Sequence, residues 1–422
     1  MTSQMQSTEM QVSDIGMFPG TSALRSAPLT LQPQAVPTSA LLGTYKQPAI
    51  DLVRGEDVCL FDAAGHRYLD FVSGISVNAL GYGDAGLTAA LHSAADGLVH
   101  TSNLYGTSPA RRLADALVAH SFADKVFFCN SGAEANEGAF KFARRWARSL
   151  NGENAAKHEI IALRGSFHGR LFGTLAATDR PAYRLPFRPL AGGISIVERN
   201  IDDLALALDA ETVAALILEP VQGEGGVRVL DAGFVRELRE LTKDRHIALI
   251  FDEIQCGLGR TGSLFAYEQL GVEPDILTLA KPMAGGLPMG AVLLTDRIAA
   301  AIQPGDHATT FGGGPFVASV ALHVLERLAN KALLAQVREN GEWMGQELVE
   351  IGRRTGRIRA VRGVGYMWGA DVRGSAGHVV SEALEAGLLL CTAGDYTVRL
   401  LPPLVATRDA LAEGLAILER VL

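Results

Sequence analysis

The chain has 422 residues, of which 48% are hydrophobic and 20% are charged, and its formal net charge is −8. A chain of this length buries one large core and a second smaller one, so we expect two domains or one large domain with an appendage. The acidic balance argues against a nucleic acid or an anionic membrane as partner, because either would favour a basic face. A few local arginines can still create a cleft for small anionic substrates.

The cysteines and apolar runs indicate the compartment. The four cysteines are scattered without a C-x-x-C pair, which argues against both a disulfide framework and a zinc site. No apolar run approaches the roughly 20 residues that span a bilayer. The N-terminus has no basic region followed by an apolar one, as a secretory signal would. We therefore expect a cytoplasmic protein without a metal site.

Residues 1–42 differ in composition from the rest of the chain. They are rich in Ser, Thr, Gln, Met and Pro, carry few charges and show no steady hydrophobic period. This composition predicts a disordered N-terminal tail. A transit peptide is the weaker alternative, because Arg25 is the only basic residue in the segment.

The middle of the chain alternates between helical patterns and short apolar runs. Residues 108–120 predict a helix, residues 125–130 a strand and residues 133–150 a second helix. Further continuous apolar runs lie at residues 159–164, 193–198, 213–220, 247–254, 275–280 and 290–295. Continuous runs are typical of strands covered on both faces, as in a mostly parallel sheet with crossover helices. Longer helical stretches follow after about residue 316 and predict a smaller α+β domain.

The stretch "FFCNSGAEANEG" (127–138) predicts a strand, a turn and a helix. Ser131 and Glu134 have the spacing of a capping box, and Gly132 permits close approach to the backbone. The amides at a helix N-terminus attract anions. An ordinary capped helix explains the stretch equally well.

The stretch "IALIFDEIQCG" (247–257) ends a buried strand with Asp252 and Glu253. Neighbouring strand residues face opposite ways, so only one of the two can point into a given site. Three readings stay open: a metal-binding acid beside a nucleotide, a carboxylate that holds a protonated ring nitrogen, and two solvated acids. The chain contains no G-x-x-x-x-G-K-[ST] loop, which opposes an ATPase. "GLGRTG" (257–262) is a weak dinucleotide signal because "DEIQC" separates it from the strand.

Two arginines lie in stretches suited to carboxylate binding. "RGSFHGRLFG" (164–173) places an aromatic residue, His168 and Arg170 in a glycine-flanked loop, where an arginine can bind a carboxylate bidentately. "VRLLPPL" (398–404) places Arg399 beside a proline pair that stiffens the backbone. The alternatives are a structural histidine and a surface arginine on an edge strand.

Lys281 follows an apolar strand directly in "DILTLAKPMAGGLP" (275–288). A lysine at this position is either a surface residue or one kept for chemistry. A phosphorylated pyridine aldehyde needs amides for its phosphate, an acid for its ring nitrogen, an aromatic face and a lysine for a Schiff base. The stretches above supply that set, and desolvation makes a lysine nucleophilic.

Together these stretches resemble the class III pyridoxal-phosphate-dependent aminotransferases, and the acetylornithine aminotransferases are the most similar group. The motifs follow the family's order across residues 43–422: "VSGISVNALGYG", "CNSGAEANEGAFKFAR", "FHGR", "EPVQGEGGV", "LIFDEIQCGLGRTG", "DILTLAKPMAGGLPMGA", "TTFGGGP" and "RLLPPL". The resemblance implies a fold type I α/β transferase with pyridoxal 5'-phosphate as cofactor. It also implies a homodimer whose active sites lie at the subunit interface.

The resemblance further implies the domain bounds. Residues 43–85 would join the small domain, residues 86–316 would form a large cofactor-binding domain on a mostly parallel seven-stranded sheet, and residues 317–422 would form the small α+β domain.

Carried over position by position, the resemblance implies four residues around the cofactor ring. Lys281 would form the Schiff base and later shuttle the proton. Asp252 would pair with the ring nitrogen and keep it protonated. Gln255 would approach the ring hydroxyl, and Phe167 would stack on the ring.

The same comparison implies residues for the phosphate and substrates. Gly132 and Ala133 would donate backbone amides to the phosphate beside Ser131, and Thr310 would bind the phosphate in the partner subunit. The substrate residues it implies are Arg399 for the α-carboxylate of glutamate or 2-oxoglutarate, Glu219 as the alternate partner of Arg399, Arg170 for the second carboxylate of an acylated ornithine, and Thr309 near that carboxylate.

The implied reaction moves the terminal amino group of N2-acetylornithine to 2-oxoglutarate, giving N-acetylglutamate 5-semialdehyde and glutamate in arginine biosynthesis. Succinylornithine, succinyl-diaminopimelate semialdehyde chemistry, a carrier-bound lysine, free ornithine and 4-aminobutyrate are alternatives. Ile75 stands where free-ornithine enzymes of the family have a tyrosine, which favours an acylated substrate. An aminomutase is a further alternative, which Arg399 and Glu219 oppose because it needs no 2-oxoglutarate site.

Three positions depart from the family pattern. "GYGD" (81–84) replaces the usual G-H-x-H/D-P, Gly314 stands where asparagine is usual, and Pro282 follows the lysine. None of them removes a reacting group, so they bear on substrate details rather than on the class of activity.

Overall fold

The computed structural model describes residues 40–45, 50–151, 157–209 and 211–422. Contacts divide the chain into two units, Met1–Gln47 and Pro48–Leu422. Of the first unit only residues 40–45 are described, with exposed side chains and a hydrogen bond from Thr44 N to Leu42 O (2.7 Å). The tail predicted at residues 1–42 therefore lies almost entirely outside the described residues.

Helices and strands alternate along the second unit. The described helices are α1 (Ser73–Ser76), α2 (Ala85–Ala95), α3 (Ser108–Ala119), α4 (Gly132–Asn151), α5 (Phe172–Ala176), α6 (Pro181–Arg184), α7 (Ile201–Leu208), α8 (Ala232–Asp244), α9 (Tyr267–Leu270), α10 (Asp296–Ala299), α11 (Pro315–Leu328), α12 (Lys331–Thr355), α13 (Ala376–Glu385) and α14 (Arg408–Val421). The described strands are β1 (Leu52–Glu56), β2 (Cys59–Asp62), β3 (Arg67–Asp70), β4 (Lys125–Cys129), β5 (Glu159–Leu163), β6 (Ile194–Val197), β7 (Val213–Leu218), β8 (Val221–Gln222), β9 (Arg228–Val229), β10 (Ala248–Asp252), β11 (Ile276–Leu279), β12 (Gly290–Leu294), β13 (Ile358–Val364), β14 (Met367–Val372), β15 (Leu388–Leu389), β16 (Cys391–Thr392) and β17 (Thr397–Leu400).

A seven-stranded sheet forms the centre of the larger part, with the strand order β4-β12-β11-β10-β7-β5-β6. Every neighbouring pair is parallel except those of β12, which runs antiparallel to both β4 and β11. Strands β7, β10, β11 and β12 are buried along their whole length, as their continuous apolar sequences require. The prediction of a mostly parallel seven-stranded α/β sheet is confirmed.

Helix α4 packs closely on this sheet because its inward side chains are small. Ala135, Ala139 and Ala143 are fully buried in one apolar cluster with Ile250 and Val292 of the sheet. Alanine in these positions costs little conformational entropy and lets the helix axis approach the strands. The approach brings the start of α4 to the edge where β10 and β11 end.

Two four-stranded sheets lie outside the large one, with the orders β1-β2-β3-β15 and β13-β14-β17-β16, and β8 and β9 form a two-stranded sheet. In the first, β3 pairs in parallel with β15, with Leu69 opposite Leu388. The N-terminal segment thus shares a sheet with a C-terminal strand. Because residues Pro48–Leu422 form one compact unit, the boundaries predicted at residues 85 and 316 stay predictions.

Helix α1 is a left-handed turn that carries a β-branched residue. Ser73, Ile75 and Ser76 have φ values of 45°, 61° and 68°. Such conformations cost about 1–3 kcal/mol each and persist where the surroundings impose them. The carboxylate of Asp70 accepts hydrogen bonds from Ser73 N at 2.9 and 3.0 Å and fixes the start of the turn. The turn leads directly to Val77, which lines the main cavity.

Candidate active site

A cavity of about 420 Å³ lies at the carboxyl ends of β7, β10 and β11. This is the edge where open α/β sheets gather ligands. Nine of the residues expected in the site line it: Ser131, Gly132, Ala133, Phe167, Arg170, Glu219, Asp252, Gln255 and Lys281. Parallel strands β10 and β11 place Asp252 opposite Thr278, three residues before Lys281.

Asp252 is buried (4% exposed) and held by three donors. Its Oδ2 accepts hydrogen bonds from Asn136 Nδ2 at 2.7 Å and from His168 Nδ1 at 2.8 Å, and its Oδ1 accepts one from Ile254 N at 3.1 Å. Asn136 is itself oriented, because its Oδ1 accepts a hydrogen bond from Thr278 Oγ1 at 2.8 Å. The carboxylate is therefore fixed in direction before any ligand binds.

Glu253 points away from the cavity, as strand alternation requires. Its carboxylate accepts hydrogen bonds from Ala266 N at 2.6 Å and Tyr267 N at 2.7 Å, at the start of α9. Burial raises its pKa to about 8. Of the two adjacent acids, only Asp252 faces the site.

Lys281 begins a 3₁₀ turn, Lys281–Ala284, immediately after β11. Pro282 occupies the second position of that turn, where its fixed φ and missing N–H are tolerated. Burial lowers the pKa of the lysine, and the positive charge of Arg399 lowers it further, although Asp252 acts in the opposite sense. A lowered pKa increases the fraction of neutral, nucleophilic amine.

The turn before α4 contains half of the expected capping box. Glu134 N donates to Ser131 Oγ at 3.2 Å. The carboxylate of Glu134, however, accepts from Asn130 N at 2.7 Å and Asn130 Nδ2 at 2.9 Å. It reaches one residue further back than a capping box requires, and this stabilises the turn that leads into the helix.

Gly132 and Ala133 lie in the first turn of α4, where backbone amides have no acceptor within the helix. Both residues line the cavity, and amides at a helix N-terminus suit an anion such as a phosphate. A Cβ at position 132 would lie 2.8 Å from Ile254 Cδ1. The helix can approach the end of β10 this closely only with glycine there.

Arg399 is buried (2% exposed) on β17, and it is paired differently from the expectation. Its Nη2 lies 2.7 Å from Glu224 Oε1, and its Nη1 donates to Gln255 Oε1 at 3.3 Å. The expected partner of Arg399 is Glu219, and this expectation is wrong for the structure, in which Arg399 pairs with Glu224. Glu224 lies in the loop between β8 and β9, which reaches Arg399, whereas Glu219 directly follows β7.

Glu219 instead supports the loop that carries the aromatic ring. Its Oε1 accepts a hydrogen bond from Phe167 N at 2.9 Å. Burial raises the pKa of Glu219, and the nearby charge of Asp252 acts in the same sense.

Arg170 is exposed at the mouth of the cavity and stacks on an aromatic ring. Its guanidinium carbon lies 3.4 Å from the ring centroid of Tyr183 and 5.8 Å from that of Phe167. Stacking of this kind orients the guanidinium plane while leaving its edge available to a carboxylate.

Thr309 and Thr310 do not line the main cavity. Thr309 Oγ1 accepts a hydrogen bond from Asn130 Nδ2 at 3.1 Å, which places it beside the turn at Ser131. Thr310 is exposed and lines a second cavity of about 170 Å³ with residues 100–107. Within this chain, Thr309 lies beside that turn and not on the cavity wall with Arg170, and the contact of Thr310 with the phosphate in the partner subunit stays a prediction.

Sequence reasoning missed three residues that shape the site, Asn136, Tyr183 and Glu224, and it named His168 without assigning it a partner. The "EPVQGEGGV" stretch offered two glutamates, and spacing alone could not decide which of them reaches Arg399. His168 adjoins Phe167, but its hydrogen bond to Asp252 depends on the loop packing against β10. Among the described residues, no group of three or more His, Cys, Asp or Glu side chains is arranged to hold a metal.

The residues present fit pyridoxal 5'-phosphate. First-turn amides of α4 suit its phosphate, the oriented carboxylate of Asp252 suits a protonated ring nitrogen, and Lys281 is an amine of lowered pKa at the same cavity. Phe167 supplies an aromatic face on the cavity wall.

Comparisons with known proteins agree with this geometry. A sequence model of class-III aminotransferases matches residues 43–422. The acetylornithine aminotransferase of Methanocaldococcus jannaschii is 44% identical over 378 residues, covering 89% of this chain and 94% of that protein. The succinylornithine transaminase of Yersinia pseudotuberculosis is 44% identical over 387 residues, covering 89% and 93%. The crystal structure of N-acetylornithine aminotransferase from Stenotrophomonas maltophilia superposes with a TM-score of 0.78 at 38% identity, covering 88% and 95%. The chain therefore belongs to the class-III aminotransferases, a family of pyridoxal-phosphate-dependent transaminases.

Proposed function

We propose that this aminotransferase moves the terminal amino group of N2-acetylornithine to 2-oxoglutarate, as a step of arginine biosynthesis. The observation that carries the proposal is the buried ion pair between Arg399 and Glu224, at 2.7 Å, beside the cavity that holds Lys281. The names of the relatives from M. jannaschii and S. maltophilia support the acylated substrate.

The ion pair lets one cavity accept two different amines. The carbon that bears the terminal amine of acetylornithine carries no carboxylate, so Arg399 stays neutralised by Glu224 while this substrate is bound. Glutamate and 2-oxoglutarate carry a carboxylate beside the reacting carbon. That carboxylate displaces Glu224 and forms a bidentate pair with Arg399, which is the favoured geometry for arginine and carboxylate.

Arg170 lies at the cavity mouth and is suited to the carboxylate at the far end of either substrate. Its stacking on Tyr183 at 3.4 Å fixes the plane in which the guanidinium binds. Thr309 and Thr310 take no part in this arrangement within a single chain, because neither of them lines the main cavity.

The bound cofactor supplies an electrophilic carbon and a ring that accepts electrons. Lys281 would hold the cofactor through its Nζ, and as a free amine it would take the proton from the carbon that bears the substrate's amine. Its lowered pKa increases the fraction of neutral amine that can accept this proton. Asp252, fixed by Asn136 and His168, keeps the ring nitrogen protonated.

Four further contacts position the ring and its phosphate. Phe167 would supply the face that stacks on the ring, and Gln255, which accepts a hydrogen bond from Arg399, would approach the ring hydroxyl. Gly132 and Ala133 donate their amides to the phosphate beside Ser131. These contacts hold the reacting carbon within reach of Lys281, which is the main requirement for proton transfer.

We infer that the active unit is a homodimer. Apolar side chains at residues 98–105 are exposed, including Leu104 at 84% and Tyr105 at 73%, and Phe311 beside them is 64% exposed. His100 packs on Phe311 with ring centroids 5.3 Å apart, so these side chains form one surface. Exposed apolar surface of this kind marks an interface. Thr310 lies on the same surface and would contact the phosphate in the partner subunit.

The four cysteines are free thiols, which suits a reducing compartment such as the cytoplasm. Among the described helices, none is long and apolar enough to cross a membrane.

Succinylornithine is the second candidate substrate, which the relative from Y. pseudotuberculosis favours. The two substrates differ only in the acyl group. Equal concentrations of N2-acetylornithine and N2-succinylornithine, each labelled with ¹⁵N at the terminal amine, should be supplied with 2-oxoglutarate in separate assays. The proposal expects ¹⁵N-glutamate at a higher kcat/KM from acetylornithine. A higher value from succinylornithine would reassign the substrate, and label from neither would reject the proposed function.

A further inference from the structure

The loop that carries Glu224 is a hairpin turn held mainly through its backbone. It connects β8 and β9, and Gly226 and Val227 have φ values of 100° and 54°. Arg228 Nε donates to Gly225 O at 3.1 Å, and Arg362 Nε donates to Gly226 O. The side chain of Glu224 projects from this loop to Arg399.

One further contact fixes the backbone of Glu224 itself. Arg180 Nη2 donates a hydrogen bond to Glu224 O. A hydrogen bond from a charged donor to this carbonyl is roughly twice as strong as one from a neutral donor. The carbonyl is held from outside the hairpin, while the carboxylate of the same residue extends to Arg399 on the other side.

Arg180 is mounted on a segment tied to the loop of Phe167 and His168. Asp179 N donates to Ser166 O at 2.9 Å, and Asp179 Oδ2 accepts from Gly165 N at 2.8 Å. Arg180 itself is extended, with φ −136° and ψ 96°, as expected for a residue before proline. Arg180 therefore reaches Glu224 from a fixed base rather than from a free loop.

We propose that Arg180 is a positioning residue for substrate discrimination: it fixes the backbone of Glu224 so that the carboxylate returns to Arg399 whenever no α-carboxylate is bound. The proposal rests on the function proposed above and names a further residue that controls it. Glu224 must leave Arg399 for glutamate and return for the terminal amine. With its backbone fixed, only side-chain rotation separates the two states.

Loss of this contact lets the backbone of Glu224 move, and the pair with Arg399 weakens because ordering the loop then costs conformational entropy. Arg399 becomes more available to α-carboxylates. The enzyme should therefore react relatively better with glutamate and relatively worse with the terminal amine. The sign of this change distinguishes positioning of Glu224 from a general loss of structure.

The test compares two half-reactions on the same holoenzyme preparation. Stopped-flow absorbance of the cofactor gives the rate constants with N2-acetylornithine and with glutamate for the wild type, Arg180→Met, Arg180→Lys and Glu224→Gln. For Arg180→Met, the ratio of the acetylornithine to the glutamate specificity constant should fall by about tenfold, the effect of one charge-assisted hydrogen bond. Arg180→Lys keeps a donor and should give an intermediate ratio, while Glu224→Gln should show at least the shift of Arg180→Met.

A second readout does not depend on turnover. Amide hydrogen exchange in a peptide that covers residues 221–229 should be faster in Arg180→Met than in the wild type, with exchange at residues 247–255 unchanged. An unchanged ratio with unchanged exchange at 221–229 would overturn the proposal. If Arg180→Met does not fold, a wild-type ratio in Arg180→Lys with unchanged exchange would overturn it equally. Failure of the proposed function would appear separately, as a wild type that does not react with acetylornithine.

Discussion

His168 Nδ1 lies 2.8 Å from Asp252 Oδ2, and both side chains are buried at the end of β10. A carboxylate can only accept a hydrogen bond, so the histidine carries its proton on Nδ1. Together with Asn136, it sets the direction in which Asp252 presents its charge to the cavity.

Replacing His168 should therefore lower the catalytic rate, while the cofactor still binds. We expect His168→Leu to reduce kcat by about 10- to 100-fold, because a hydrogen bond to a charged group is worth roughly 1.5–3 kcal/mol. His168→Asn keeps a donor near Asp252 and serves as the matched control, with a smaller loss. Steady-state kinetics at saturating cofactor measure both, and an unchanged kcat in His168→Leu would contradict this role.

Gly132 is required by space at the start of α4. Gly132→Ala places a Cβ 2.8 Å from Ile254 Cδ1. Overpacking of this kind costs about 1–3 kcal/mol, so the Kd for pyridoxal 5'-phosphate should rise about tenfold or more. Gly192 has no atom within 4 Å of a built Cβ, and Gly192→Ala is the control that should bind normally. Equal Kd values from fluorescence titration of the two variants would refute the argument.

Tyr183 orients Arg170 through its ring rather than its hydroxyl group. Tyr183→Leu should raise KM for N2-acetylornithine about three- to tenfold, because a cation–π contact is worth roughly 0.5–2 kcal/mol. Tyr183→Phe keeps the ring and should leave KM near the wild-type value. If the phenylalanine variant were as impaired as the leucine variant, stacking would not be the cause.

The buried carboxyl of Glu253 makes stability depend on pH. Its pKa is raised by burial to about 8, so the folded state binds a proton that the unfolded state has already released. The unfolding free energy contributed by this group is therefore fully present below about pH 4.5 and is lost as the pH rises to about 8. Glu253→Gln removes the titration. The free energy of unfolding of Glu253→Gln, measured with urea, should rise steadily relative to that of the wild type from pH 5 to pH 8. A difference between the two proteins that does not change with pH would disprove the assignment.

Much of the fold follows from the apolar pattern. The runs at 213–220, 247–254 and 275–280 are continuous because β7, β10 and β11 are covered on both faces. The placement of Asp252 and Lys281 at neighbouring strand ends then follows from parallel pairing. The stretch that follows "GLGRTG", residues 263–270, forms only a single helical turn, Tyr267–Leu270.

Contacts that depend on tertiary packing could not be predicted in the same way. Glu224 reaches Arg399 because the hairpin turn between β8 and β9 projects its side chain towards β17. The spacing of the residues in "EPVQGEGGV" does not indicate that direction. Asn136 donates a hydrogen bond to Asp252 because α4 packs on the sheet beside the end of β10. The carboxylate of Glu134 accepts hydrogen bonds from Asn130, one residue before the position that a capping box would use.

The absorbance spectrum of the purified protein shows whether Lys281 supports both half-reactions with these two substrates. N2-Acetylornithine is added to the holoenzyme without any keto acid, and 2-oxoglutarate is added afterwards, with Lys281→Ala as the control. The account predicts that the yellow band of the bound cofactor disappears with acetylornithine and returns with 2-oxoglutarate, and that Lys281→Ala performs neither change at a comparable rate. A wild-type band that ignores acetylornithine, or a Lys281→Ala protein that cycles normally, would contradict it.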